Sequence, residues 1–309
     1  MEKTRVLYIV GCGRSGSTIL SRALGEIDGF FGAGEIRYLW AESHRGTRLC
    51  GCGQSLRECP TWSSILDELH APNVDAEIER LAKYEEVIKT RHLPLLLNGS
   101  TARRAADKLG SYIEDLGRLY LTIGRRTGVR VIVDSSKFPT YGWLVDQSSQ
   151  VDLYVLHLVR DPRAVAYSWW RRQKTEAGKD AAVSIARERP LVSALRWVIW
   201  NRFAEMTWGG HPTRYVRIRY EDFVQRPEST IRFVAKWVGE EPPELAIMDG
   251  SSLDLSAGHT IAGNPDRFKV GQVQLRLDDK WRTELPPVDH VIVTGVTGPW
   301  LRRYGYGRT

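Results

Sequence analysis

The spacing of apolar residues changes period once within the first 25 positions. Val6, Leu7, Tyr8, Ile9 and Val10 form an unbroken, largely β-branched run that predicts a strand buried on both faces. Ile19, Leu20, Ala23 and Leu24 then recur at helical spacing, with a glycine-rich turn at 11–18 between the two elements. The same alternation returns later. Strands are predicted at 129–133, 151–159 and 215–220, and helices at 162–173, 191–208 and 227–238. Strands alternating with helices predict an α/β fold: a three-layer sandwich with a central parallel sheet flanked by helices, joined by right-handed crossovers. Between the opening strand and the strand at 129–133, the stretches 61–69, 75–90 and 102–126 carry helical spacing. Residues 36–128 therefore read as a mostly helical insertion after the first strand–helix unit, contributing to a substrate cleft, and 1–309 reads as one domain.

Composition narrows the class. The 309 residues are 42% hydrophobic and 26% charged, values of a globular chain with a sizeable core. No apolar run approaches the ~18 residues that span a bilayer, and an acid at Glu2 breaks any leader pattern, so the expected location is cytoplasmic. The net charge of +7 favours an anionic ligand. The cations are scattered, without a basic tail, which argues against nucleic acid as partner. Oligomeric state stays open, a dimer included.

The turn at 11–18 carries the first candidate chemistry. A strand, a glycine loop and a helix N-terminus together converge backbone N–H groups on a phosphate. Gly11, Gly16 and Thr18 fit the register of G-x-x-x-x-G-K-[ST], but Ser17 stands where the lysine belongs. A P-loop-like turn lacking that lysine suits a shorter anion than a triphosphate, and Arg14 is the cation inside it. A second candidate follows the strand at 151–159. Arg160 ends it, Asp161 is placed to cap the next helix with Pro162 at its first position, and Ser168 lies two turns in. An arginine and a serine so placed can grip one phosphate. Ligands of parallel α/β folds sit beyond the strands' C-terminal ends, so the first loop, 134–137, 160–161 and 219–222 are expected on one rim.

Cys50, Cys52 and Cys59 form a C-x-C-x6-C cluster with His44 nearby. It reads either as a zinc set or as a glycine-rich loop with small, partly buried thiols.

These stretches resemble a known family. Gly13, Arg14, Ser15, Gly16, Ser17 and Thr18 are similar to the 5′-phosphosulfate loop of sulfotransferases that use 3′-phosphoadenosine 5′-phosphosulfate (PAPS), particularly the bacterial, carbohydrate and tyrosylprotein branches. Val159-Arg160-Asp161-Pro162-Arg163-Ala164 with Ser168 resembles their 3′-phosphate motif, and Arg219-Tyr220-Glu221-Asp222-Phe223 their R-Y-E-D-L segment. The cysteine stretch through Trp62 and three C-terminal segments, at 263–268, 279–282 and 303–306, look similar too. The resemblance implies that residues 13–18 hold the 5′-phosphosulfate, Arg160 and Ser168 the 3′-phosphate, and Tyr220 the adenine, with Arg267 in a closing loop. It implies PAPS as co-substrate, no metal in the transfer, and a small-molecule, lipid or carbohydrate hydroxyl as acceptor.

The cytosolic branch uses a histidine base in K-x-H-x-P. The comparable segment here, Ser135-Ser136-Lys137-Phe138-Pro139, has none. Gly34-Glu35-Ile36-Arg37 instead resembles the tyrosylprotein branch's G-E-E-T-R stretch. This implies Glu35 as general base, Lys137 at the bridging oxygen and Arg14 assisting, with His259 as second choice of base. His157, mid-strand, reads as a core histidine. Two other functions compete: a P-loop kinase or NTPase with Asp134 holding Mg²⁺, and a non-catalytic basic binding module.

Overall fold

The structure is a computed structural model that describes residues 3–70, 74–84, 89–171, 188–241, 248–249 and 252–307. Five strands, β1 (Thr4–Val10), β2 (Phe30–Gly34), β3 (Val131–Lys137), β4 (Val151–Val159) and β5 (Tyr215–Arg219), form one sheet in the order β2-β3-β1-β4-β5. Every pairing is parallel. The apolar run at the start of the chain is therefore the central strand, and its side chains divide between two cores. Val6, Tyr8 and Val10 enter one, with Leu116, Leu119, Tyr120 and Ile123 of the helix Gly110–Thr127. Leu7 and Ile9 enter the other, with Leu20 and Leu24 of the helix Ser17–Gly25 and Ile231 and Val234 of the helix Pro227–Trp237. All five β1 residues are fully buried, each apolar side chain contributing about 1.5–3 kcal/mol. The P-loop-like three-layer α/β arrangement expected from the alternation is what forms.

Three features differ from the sequence expectation. β2 intervenes before the helical insertion, so the insertion joins β2 to β3 rather than the first strand to the second. Its sequence, Phe-Phe-Gly-Ala-Gly, has two strand-favouring aromatics followed by three residues that disfavour strands, and it holds its place as an edge strand paired to β3. The pattern at 102–126 divides at Leu109, buried and with φ −105° and ψ 13°, into the helices Gly99–Lys108 and Gly110–Thr127. A small antiparallel sheet, β6 (Met248–Asp249), β7 (Ser252–Leu255) and β8 (Gly271–Gln274), lies in a stretch with no strand-length apolar run, and Leu253 and Leu255 pack it on the second core. The helix expected over 75–90 runs Val74–Tyr84, and 85–88 lie outside the described residues. The helix expected over 162–173 runs Pro162–Trp170, and 172–173 lie outside them as well.

The strands end together at Val10, Gly34, Lys137, Val159 and Arg219, and the four stretches expected on one rim are all there. Among the described residues no helix is long and apolar enough to cross a membrane.

Candidate active site

At the rim the backbone leaves regular geometry at two of the candidate site residues, Lys137 and Arg14. The β1–β3 register shifts between Tyr8 and Val10, so Lys137 pairs with Val10 one residue out of step. Lys137 sits there at φ 71°, and its carbonyl accepts from Gly11 N–H at 3.2 Å. Arg14 likewise adopts φ 69°. A left-handed conformation costs a non-glycine residue about 1–2 kcal/mol. Two such residues, both basic and both at one sheet end, mark a place where the fold holds strain to aim charge. Gly16 adopts φ 83°, and a Cβ there would lie 2.3 Å from Tyr220 Cε2, so glycine lets the loop close under the tyrosine ring.

Glu35 follows the last residue of β2. Gly34, at φ 82°, is crowded by the Ile261 carbonyl and turns the chain into the cleft. The segment around Ile261 runs alongside: Ile261 N–H donates to Ala33 O and Glu35 N–H to Ile261 O, both at 2.8 Å. Glu35, 8% exposed, meets Lys137 Nζ at 2.5 Å from Oε1. Lys137 Nζ also donates to Ser135 O at 3.2 Å. Asp134 holds this strand end from beneath. Fully buried, it accepts from Ser136 N–H at 2.7 Å, Ser136 Oγ at 2.5 Å and Tyr120 OH at 2.5 Å. Burial pushes its carboxyl up to about 6. With its oxygens engaged, it does not line the cleft, which is where an Mg²⁺-holding acid would have to be.

The two stretches that the sequence offered as phosphate sites meet. Arg14 Nε donates to Ser168 Oγ at 3.0 Å, and Arg160 Nη1 donates to Arg14 O at 3.0 Å. The Arg160 guanidinium lies over the Tyr220 ring, 4.7 Å from its centroid. Asp161 caps the helix Pro162–Trp170 by accepting from Arg163 N–H at 2.8 Å, as its sequence predicts. The R-Y-E-D segment braces the same strand end: Glu221 accepts from Asp161 N–H at 3.0 Å and from Tyr306 OH at 2.7 Å. Trp197 Nε1 donates to Arg160 O at 2.9 Å. Burial, then the nearby Arg160 and Arg171 charges, lowers Arg14 to about 10. Cations crowded in this way are relieved by an anion.

Gly13, Arg14, Gly16, Ser17, Thr18, Glu35, Lys137, Arg160, Ser168 and Tyr220 line one cleft of about 540 Å³. Three sequence candidates lie elsewhere. Ser15 Oγ donates to Cys12 O at 2.7 Å and ties the loop to itself. Arg267, 2% exposed, donates to Gly263 O at 3.2 Å and Leu49 O at 3.4 Å, so it pins the C-terminal loop from behind. That loop meets the site through Asn264 N–H, which donates to Thr18 Oγ1 at 3.3 Å. His259 faces the cysteines, its Nδ1 lying 3.2 Å from Cys59 Sγ.

The sequence did not single out the aromatic side of the cleft. Tyr38, Phe138, Trp169 and Trp200 line it, with Phe138 and Trp200 centroids 4.7 Å apart. Among the described residues of the insertion at 36–128, Tyr38 and Arg48 are the ones that line the cleft. Adjacency to Lys137 and Ser168 was the available signal for Phe138 and Trp169.

The fold is that of an α/β protein of the P-loop-like class, and the C-terminal rim of its parallel sheet brings Arg14, Arg160 and Ser168 together beside the Glu35–Lys137 pair. The family model described as "Sulfotransferase family" matches residues 7–244. The chain belongs to the sulfotransferase family. It is 26% identical over 172 residues to carbohydrate sulfotransferase 3 of Homo sapiens, covering 52% of this chain and 35% of that protein. The chain thus spans about a third of the length of that relative. Two solved structures share the fold: the sulfotransferase domain of the Synechococcus PCC 7002 olefin synthase (20% identity, TM-score 0.55, covering 100% of this chain and 97% of that one) and the sulfotransferase domain of the curacin biosynthetic pathway (17% identity, TM-score 0.56, covering both chains completely).

Proposed function

We propose that the protein transfers the sulfonate group of PAPS to a hydroxyl of a small-molecule, lipid or carbohydrate acceptor. The observation that carries this reading is the junction of Arg14, Ser168 and Arg160, which links two anion seats in one cleft that also contains Glu35 and Lys137. PAPS carries anions at both ends of its ribose, and its adenine would lie against Tyr220. The absence of a loop lysine at Ser17 and the engagement of Asp134 within the sheet disfavour a Mg²⁺-triphosphate enzyme.

In the transfer, the acceptor oxygen attacks sulfur in line while the bond from sulfur to the bridging phosphate oxygen breaks. Glu35 takes the hydroxyl proton. The departing oxygen keeps the bond's electron pair, and Lys137, assisted by Arg14, stabilises the charge that develops there. Lys137 would then serve both partners, orienting the carboxylate before transfer and meeting the leaving oxygen during it. The aromatic side of the cleft suits the apolar face of an acceptor or a sugar ring.

Equilibrium binding of adenosine 3′,5′-bisphosphate, with and without Mg²⁺, tests the donor, and labelled PAPS incubated with panels of phenols, sugars and lipids tests transfer. Metal-independent binding of the bisphosphate with transfer to one panel supports the reading. Mg²⁺-dependent ATP binding that the bisphosphate does not displace favours a kinase. Steeply salt-dependent binding of polyanions, without bisphosphate binding, favours a basic binding module.

A further inference from the structure

We propose that Cys50, Cys52, Cys59 and His259 bind one structural Zn²⁺ ion. Their four donor atoms all lie within 4.8 Å of one another. His259 Nδ1 is 3.2 Å from Cys59 Sγ and 3.9 Å from Cys50 Sγ. A tetrahedral zinc with bonds of about 2.3 Å to sulfur and about 2.0 Å to nitrogen places sulfur and nitrogen roughly 3.6 Å apart and two sulfurs roughly 3.8 Å apart. The observed separations straddle that edge length. His44, the histidine nearest in sequence, is exposed and not part of the group; the fourth donor comes from 200 residues away.

The backbone around the donors is fixed independently of any ion. Gly53 N–H donates to Cys50 O at 2.8 Å and Cys50 N–H to Gln54 O at 2.7 Å, which folds the first two cysteines into a tight turn. Cys59 is anchored by its N–H to Ser55 O at 2.9 Å and immediately precedes the helix Pro60–His70. The His259 carbonyl accepts from Trp62 Nε1 at 2.7 Å, and Gly51 N–H donates to Thr260 O at 3.0 Å. Cys50 and Cys59 are fully buried, while Cys52 and His259 are partly exposed and give the ion a way in. A disulfide would use two of the thiols and leave the third and the imidazole without a reason to converge. Three thiolates and an imidazole are a soft, closed donor set of the kind that selects zinc and leaves no position for substrate.

The role follows from the chain path. His259 is two residues from Ile261, whose carbonyl holds Glu35 N–H. An ion at the four donors ties the 50–54 turn and the start of the helix Pro60–His70 to the segment that positions the proposed base. It takes no part in the transfer.

The test is metal content of the full chain, purified without chelator, by plasma mass spectrometry, followed by exchange into cobalt. One zinc per chain is expected, together with thiolate-to-cobalt charge-transfer bands and the intense visible bands of a tetrahedral site. Variants of the buried Cys50 and Cys59 risk misfolding, so Cys52→Ser and His259→Ala are the informative substitutions; each should lose the bound zinc while circular dichroism keeps the α/β signature. The proposal is overturned by a folded wild-type chain with no zinc and no cobalt bands, by a Cys50–Cys59 disulfide in peptide mapping, or by zinc content unchanged in both variants. None of these readouts depends on sulfonate transfer.

Discussion

Lys137 Nζ and Glu35 Oε1 are 2.5 Å apart, the lysine from the end of β3 and the glutamate from the end of β2. Both side chains are largely buried, and the lysine backbone is held at φ 71° in making the pair. An ordinary surface ion pair contributes about 0–1 kcal/mol and would not repay such strain. Here the pair brings a carboxylate and an ammonium group to one point in the cleft that the 11–18 loop also lines.

Glu35→Gln should therefore lower kcat by roughly 10²–10⁴-fold while adenosine 3′,5′-bisphosphate binds within a few-fold of wild type. Lys137→Ala should also lower kcat, through loss of the cation and release of the carboxylate. Steady-state kinetics with labelled PAPS, alongside calorimetric binding of the bisphosphate, separates the two effects. Near-normal turnover in Glu35→Gln removes Glu35 as base.

Arg160 Nη1 donates to Arg14 O at 3.0 Å, and under the proposed donor placement its removal should be felt by one phosphate only. Arg160→Ala should weaken adenosine 3′,5′-bisphosphate by ~10–100-fold, the worth of one charge-assisted bond. Adenosine 5′-monophosphate, lacking the second phosphate, should change far less. Equal loss for both nucleotides, or none for either, would mean that Arg160 does not read the 3′ position.

Most of the sheet was legible because β1, β3, β4 and β5 carry their own apolar runs. β2 was not, because a glycine-rich edge strand is specified by its neighbour β3 and by the segment around Ile261 rather than by its own side chains. That the 13–18 loop and Arg160 face one cleft was readable from local spacing, since strand, loop and helix N-terminus lie within 20 residues of one another. Arg267 and His259 were placed differently from their sequence reading, for one reason. Their partners, at Leu49 and the cysteines, lie about 200 residues away, and only the folded path of the C-terminal loop brings them together. Linear spacing carries no trace of that approach.

Two buried titratable groups should tilt stability in opposite directions with pH. His157, fully buried with Nδ1 2.7 Å from Tyr215 OH and Nε2 2.8 Å from Asn201 Oδ1, is held by burial down to about 4 from 6.5. The unfolded chain binds this proton first, so its effect is stability that rises between pH 4 and 6.5 and is lost on acidification. Asp134, raised by burial from 3.8 to about 6, keeps its proton longer in the folded chain, so stability falls as pH rises through that window. Each slope amounts to about 3 kcal/mol across its range, and the two largely cancel in the wild type. Denaturant unfolding from pH 4 to 6.5 should show a steeper rise in Asp134→Asn and a fall in His157→Gln. Parallel curves for all three proteins would show that neither group is shifted in this sense.

Gly16 couples the conformation of the 11–18 loop to the position of Tyr220, the proposed adenine contact. Alanine there meets two separate penalties: about 1–2 kcal/mol for the left-handed backbone at φ 83°, and a clash between its Cβ and Tyr220 Cε2, 2.3 Å away. Gly16→Ala should lower stability in denaturant unfolding by at least the first of these, and bisphosphate affinity should drop as Tyr220 is pushed off its place beside Arg160. The two penalties separate in the double variant. Against a Tyr220→Ala background, Gly16→Ala should cost only the backbone strain, because the ring it would strike is gone. A cost identical in both backgrounds would mean that the ring yields freely and the loop is held by its own backbone alone. Unchanged bisphosphate affinity in the single variant would show that the closure of the loop under Tyr220 does not set the nucleotide seat.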